Sequence, residues 1–180
     1  MKDLFLIEPN KEYQKSFENY VSIYRKINDD HYFNKYKKAL ENFQDYLNDI
    51  YNYSKGNDLP HGEVITSTFW LIDKKEVVGV VRIRHQDVEC AGHIGYDISP
   101  NCRNKGYGNR ILQLALEKAV KIGIKEVVLT CNIDNIASKK IIEKNNGKLL
   151  STIYDEEEDE YLYKYIIRRN IRGQVSTFVT

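Results

Sequence analysis

The stretch from His93 to Cys131 limits the fold more than any other part of the chain. A short β-branched and aromatic run, 93–99, stops at Pro100, because proline cannot continue a ladder. After it come Arg103, Asn104, Lys105, Gly106, Tyr107 and Gly108. Ile111, Leu112, Ala115, Leu116, Ala119 and Val120 then recur at i, i+4 spacing, with Arg110, Gln113, Glu117 and Lys121 opposite, and Gly123 closes the pattern. That is an amphipathic helix over 107–122. The next apolar run, 127–131, has the composition of a strand covered on both faces. Strand, helix and strand in this order predict a right-handed parallel unit and an α/β fold.

The flanking regions add strands and helices. Phe17, Tyr20, Val21, Tyr24 and Ile27 predict one amphipathic helix, and Phe33, Tyr36, Leu40, Phe43, Leu47 and Ile50 predict a second. Residues 52–62, with Ser54, Gly56, Asn57, Asp58 and Pro60, form a loop. Runs 66–72 and 77–84 read as a hairpin turning at 73–76. A further helix starts at Asp134 or Asn135, either able to cap it, and ends at Asn146 and Gly147. Strands 149–154 and 161–167 flank the acidic run 155–160, a solvated hairpin tip. With 180 residues the chain is expected to form one domain, residues 173–180 being a flexible tail.

Charge and cysteine usage exclude several classes of function. Lys and Arg total 27 against 26 Asp and Glu, a net charge of +1, so no global field points to nucleic acid or to a membrane. No apolar stretch approaches the roughly 20 residues that span a bilayer, and the first ten residues do not look like a secretion signal. Cys90, Cys102 and Cys131 are odd in number and form no C-x-x-C pair, which suits reduced thiols and a cytoplasmic location. The four histidines show no metal-ligand spacing, and no metal is expected.

The chemistry concentrates in residues 103–108. Gly106 and Gly108 let the backbone approach a ligand, and the helix start behind them presents N–H groups and a positive dipole end. Arg103 and Lys105 add charge suited to a phosphate or pyrophosphate. An ordinary tight turn is the alternative. A dinucleotide fold is disfavoured, since Ile111 stands at the third glycine position and no acidic residue ends the strand near Cys131; a P-loop lacks its Gly-Lys-Ser/Thr.

The sequence 103–108, after a strand and opening a helix, resembles the signature Arg/Gln-x-x-Gly-x-Gly/Ala of the GCN5-related N-acetyltransferases (GNAT). Asn132, Asp134, Asn135, Ala137 and Ser138 are similar to that family's second conserved stretch. The resemblance spans roughly 61–169, with residues 1–60 a helical N-terminal elaboration. Within the family, 93–108 and 135–144 look most like a bacterial group described only as predicted acetyltransferases.

The resemblance implies an α/β (α+β) fold: a mixed, mostly antiparallel sheet with a central splayed parallel strand pair, 93–99 and 127–131, flanked by helices. It also implies an acetyl-CoA-dependent N-acetyltransferase acting on a primary amine of a small molecule or peptide, as a monomer or homodimer. Tyr96 and Ile98 on the first strand, Arg103, Asn104, Lys105, Gly106, Tyr107, Gly108 and Asn109 around the loop, and Asn132, Asn135 and Ser138 beyond it are the implied acetyl-CoA-binding residues.

The family's acid is a tyrosine in the helix after Asn135, and its position here holds Ile142, so either another group such as Tyr154, Tyr161 or Tyr163 serves or solvent does. One extra residue also precedes Gly147. Glu89, His93 and Asp97 are the candidate bases, and a structural role for His93 is the competing expectation. An amine with pKa near 10.4 needs such a base, whereas an α-amine near 8 hardly does. Another acyl-CoA donor, or a non-catalytic acyl-CoA-binding or scaffold role suggested by Ile142, is the rival reading. The acceptor wall is expected from the N-terminal helices and from loops 52–62 and 87–92.

Overall fold

The computed structural model describes residues 4–169, so the expected tail at 173–180 lies outside the described residues. A four-stranded antiparallel sheet has the order β1 (Phe5–Ile7), β2 (Thr66–Asp73), β3 (Glu76–Arg84) and β4 (Ile94–Ile98). A second antiparallel sheet joins β5 (Glu126–Asn132), β7 (Glu160–Arg168) and β6 (Lys148–Asp155), with β7 in the middle. The helices are α1 (Gln14–Lys26), α2 (Asp30–Tyr36), α3 (Lys38–Glu41), α4 (Phe43–Lys55), α5 (Tyr107–Lys121) and α6 (Ile136–Lys144).

Alternation along β2 and β3 explains the layers. Phe69, Leu71, Val81 and Ile83 join one buried cluster with Leu112, Leu116 and Leu129, while Trp70, Ile72, Val77 and Val80 join another with Phe17, Tyr20 and Tyr24. The first sheet is therefore covered by α5 on one face and by α1–α4 on the other. The predicted hairpin turns through Lys74 and Lys75, both at positive φ, the twist that two-residue hairpin loops require.

Three expectations change. The helix foreseen over 33–50 is divided, because Asn42 is extended (φ −151°, ψ 99°) and its side chain accepts the Asp45 N–H to cap α4. The three-residue strand β1 carries too little pattern to be read from the sequence. Finally, the expected α/β fold of mostly antiparallel strands flanked by helices is present, but as two antiparallel sheets, and the edges β4 and β5, expected as a splayed parallel pair, are joined by no ladder. The edges meet only where they start: the His93 N–H donates to the Val128 carbonyl (2.8 Å), and the Val128 N–H donates to His93 Nδ1 (3.0 Å). An imidazole thus takes the place of the next backbone acceptor. Gly92 permits the approach, being at φ 59° with the Val128 carbonyl oxygen 2.6 Å from where a Cβ would stand.

Candidate active site

Beyond that junction the space beside β4 opens into a cleft of about 670 Å³. Tyr96, Asp97 and Ile98 of β4 form one wall, Cys102, Arg103 and Asn104 the turn, and Gly106, Gly108 and Asn109 the start of α5. Asn135, Ala137, Ser138, Lys140, Ile141 and Lys144 bring in α6, and Asp29 and Tyr32 the start of α2.

The turn works by backbone geometry. Asn104 and Gly106 both adopt left-handed φ, 61° and 84°, so the chain reverses tightly into α5. α4 and α6 are capped by the side chains of Asn42 and Asn135, whereas α5 starts on Gly106 with no side-chain cap. Its first-turn N–H groups and dipole end are left for an anion. Gly108 also lets α6 come close, since a Cβ there would lie 2.6 Å from Ile141 Cδ1. Arg103, Lys140 and Lys144 supply positive charge along the lining.

Of the twelve residues the sequence assigns to acetyl-CoA, Tyr96, Ile98, Arg103, Asn104, Gly106, Gly108, Asn109, Asn135 and Ser138 line the cleft. Lys105, Tyr107 and Asn132 do not. Lys105 Nζ donates to the Asn101 carbonyl (2.9 Å), and Tyr107 Oη reaches over to Asp73 (2.5 Å). Asn132 binds Glu160 and accepts the Asp134 N–H (2.8 Å). Asn135 turns its side-chain oxygen to the Ser138 N–H (3.0 Å), and Asn109 accepts from buried Asn145 (3.0 Å). Asn146, just before Gly147, is at positive φ (66°).

The four catalytic candidates are not brought together. Glu89 is exposed, and Tyr163 sits under the Lys139 ammonium, 5.1 Å from the ring centre; neither lines the cleft. His93 is buried outside it, with Nδ1 already accepting from Val128, and burial lowers its pKa. Asp97 does border the cleft, but its carboxylate accepts hydrogen bonds from Tyr20, Tyr24 (3.0 Å) and Tyr36 (2.6 Å), with Arg82 Nη2 at 3.6 Å. A carboxylate has about four lone-pair sites. Those of Asp97 are spent on the protein.

Two features escaped the sequence reading. The hydroxyls of Tyr20, Tyr24 and Tyr36 converge on Asp97, although helical spacing marks all three only as core. Burial first, and Asp97 second, push all three pKa values up. Tyr96 lines the cleft with its hydroxyl buried beside the Ser138 side chain and in hydrogen-bonding geometry with none of the described residues. By contrast Ile142, the residue in the family's acid position, is 1% exposed in the core, and Ile141 is the one facing the cleft.

The comparisons with known proteins agree with this geometry. The model of the acetyltransferase (GNAT) domain matches residues 15–148. No curated protein sequence matches. Among solved structures, RimL, the ribosomal L7/L12 alpha-N-protein acetyltransferase in complex with coenzyme A, superposes at TM-score 0.69 with 16% identity over 93% of this chain and 95% of its own. The microcin C7 self-immunity acetyltransferase MccE, in complex with acetyl-CoA and AMP, gives 0.70 at 14% identity over 93% of each chain. A spermidine N-acetyltransferase SpeG chimera from Vibrio cholerae gives 0.61 at 14% identity, over 92% of this chain and 94% of that one. Identities this low show a shared fold, and the matched domain shows the family. With a matched domain that runs from α1 to the start of β6 and includes the glycine turn, the chain belongs to the GNAT acetyltransferases.

Proposed function

We propose that the protein transfers an acetyl group from acetyl-CoA to a primary amine by direct attack within a ternary complex. The observation that carries this reading is the uncapped start of α5 behind two left-handed residues, opening onto a cleft along the unpaired edge of β4. The residues fit the ligand: free N–H groups and Arg103 suit a pyrophosphate, and a strand edge suits the amides of a pantetheine arm. Acetyl-CoA supplies an acyl carbonyl on a thiol leaving group whose unperturbed pKa is near 8.5.

The chain's own groups then divide the work. The Gly106–Gly108 backbone and Arg103 bind the phosphates, and Asn135 keeps α6 in place as one side of the cleft. Tyr96 Oη, whose pKa burial pushes up, keeps its proton and donates a hydrogen bond to the departing sulfur, which leaves as a thiolate. Asp97 positions Tyr36 and Arg82 and does not take the proton, since its oxygens are occupied. His93 ties β4 to β5. Besides Asp97, the carboxylate in the lining is Asp29, whose Oδ1 already caps α2 by accepting the Tyr32 N–H. With no imidazole there and no carboxylate free of the fold, an acceptor amine near pKa 8 that loses its proton to water fits the site better than a lysine-like one.

The test is thiol release from acetyl-CoA with a panel of amines, varying both substrates. Intersecting double-reciprocal lines are expected. Parallel lines would mean an acetyl-enzyme, and thiol release that no amine stimulates would remove the assignment.

A further inference from the structure

A second cavity, of about 440 Å³, lies between α2–α4 and the far half of the first sheet. Its floor is made by Thr66 and Thr68 of β2 and by Arg82 and Arg84 of β3, with Tyr36 at its side. Thr66 pairs with Arg84 and Thr68 with Arg82 in register, so all four share one face of the sheet. This cavity adjoins the cleft at Asp97: Tyr36 and Arg82 line the one, Asp97 borders the other, and Asp97 Oδ1 contacts both Tyr36 (2.6 Å) and Arg82 (3.6 Å).

Charge in this cavity is unbalanced. Lys38 is paired with Asp49. Arg84 donates only to the carbonyls of Ala91 (3.1 Å) and Gly92 (3.4 Å), and among the described residues no carboxylate lies within ion-pair distance of it, although Glu63 lines the same cavity. Arg82 meets Asp97 at 3.6 Å and donates to Tyr36 Oη (3.4 Å), while its Nε is buried with no partner. Both guanidinium groups lie over Gly95: a Cβ there would be 3.7 Å from Arg84 Nη1 and 3.8 Å from Arg82 Nη2. Burial first, and Arg82 second, lower the pKa of Arg84, the direction expected when two like charges are crowded away from water.

Resting on the acetyl-transfer reading, we infer that this cavity is the acceptor pocket and that Arg82 and Arg84 select an amine that also carries an anionic group, a carboxylate or a phosphoryl. Two adjacent planar forks match the oxygens of either group. The hydroxyl of Thr68 adds a donor on the same face, whereas that of Thr66 already donates to the Val64 carbonyl (2.9 Å). An anion there replaces repulsion between the arginines with attraction, which a neutral or polycationic amine cannot do.

Two measurements test this. In the CoA-loaded protein, where the phosphate turn is already filled, inorganic phosphate and acetate are titrated separately while the arginine Nε–H resonances are followed. Saturable shifts at Arg82 and Arg84, lost in Arg84→Gln, are expected, and the stronger titrant separates phosphoryl from carboxylate. No shift with either anion overturns the inference. In the second, acetylation rates referred to each amine's free-base fraction are compared for amines with and without the anion: O-phosphoethanolamine with ethanolamine, and serine with serinamide. At least a tenfold higher kcat/KM is expected for the anionic member of one pair, falling to near parity in Arg84→Gln. Equal rates in both pairs, with arginine shifts present, overturn the acceptor role. Shifts with no amine acetylated uphold the anion site and count against the acetyl-transfer reading instead.

Discussion

At the scale of single residues, Tyr96 and His93 are separated by what their polar atoms touch. The Tyr96 hydroxyl is buried without a partner, so Tyr96→Phe removes an unpaid desolvation and leaves stability unchanged or slightly higher. The same change is expected to lower kcat about 10²-fold, the low end for losing a donor to a developing anion, because a thiol is already a tolerable leaving group. Single-turnover kinetics set beside thermal unfolding check it; an unaltered rate would return the hydroxyl to a packing role. His93→Ala strands the Val128 N–H and is expected to cost roughly 1–3 kcal/mol of stability. Its kcat/KM profile from about pH 5.5 to 9 should keep the acidic limb of the parent. Loss of that limb in a folded mutant would reinstate the imidazole as base. Sequence placed His93 on a strand start but carried no sign that Nδ1 faces another strand's amide, because the partner is 35 positions away.

At the scale of elements, the uncapped α5 and the capped α6 make opposite predictions. Gly108→Glu puts a side chain between α5 and Ile141 and a negative charge at the helix end proposed to bind phosphate. Acetyl-CoA affinity is expected to fall at least tenfold, and calorimetry on the folded variant with an unchanged Kd would disprove the phosphate turn. Asn135→Ala removes the α6 cap, worth about 0.5–2 kcal/mol of stability. Since its oxygen is committed to Ser138, ligand affinity should follow only the loosening of α6, and a large affinity loss without a change in Tm would mean a direct contact. The cap and the glycine turn were legible because both are local, spanning a few residues. The division of α2, α3 and α4 was not: the apolar spacing continues across Asn42, and only the backbone shows the break.

At the scale of the molecule, the pKa shifts give stability a window in pH. Burial lowers the pKa of both His85 and His93, so as pH falls below about 6.5 the unfolded chain binds protons that the folded chain refuses, and stability falls. Tyr32 is pushed up to about 12, and Tyr20, Tyr24 and Tyr36 are raised further or to a similar degree by burial and Asp97. Above about pH 10 the unfolded chain releases tyrosine protons that the folded chain retains, so stability falls again. Tm measured from about pH 5 to 11 should show a plateau between about 7 and 9 and decline on both sides. The buried tyrosines' share of the tyrosinate absorbance rising only together with unfolding is the companion observation; a full titration of all 14 tyrosines near pH 10 in intact protein would contradict the buried cluster.

Residues 93–131 by themselves determined a strand, a glycine turn able to hold phosphate, an amphipathic helix and a second strand, because periodicity, turn chemistry and capping act within a few positions. The family resemblance rests on that same local run. Only the tertiary structure decided that β4 and β5 would edge two separate sheets, that Asp97 would be enclosed by hydroxyls 61 to 77 positions away, and that Arg82 and Arg84 would face a cavity beside it. The physical reason is that helical spacing records which side of a tyrosine is buried. What its hydroxyl meets depends on how distant layers pack.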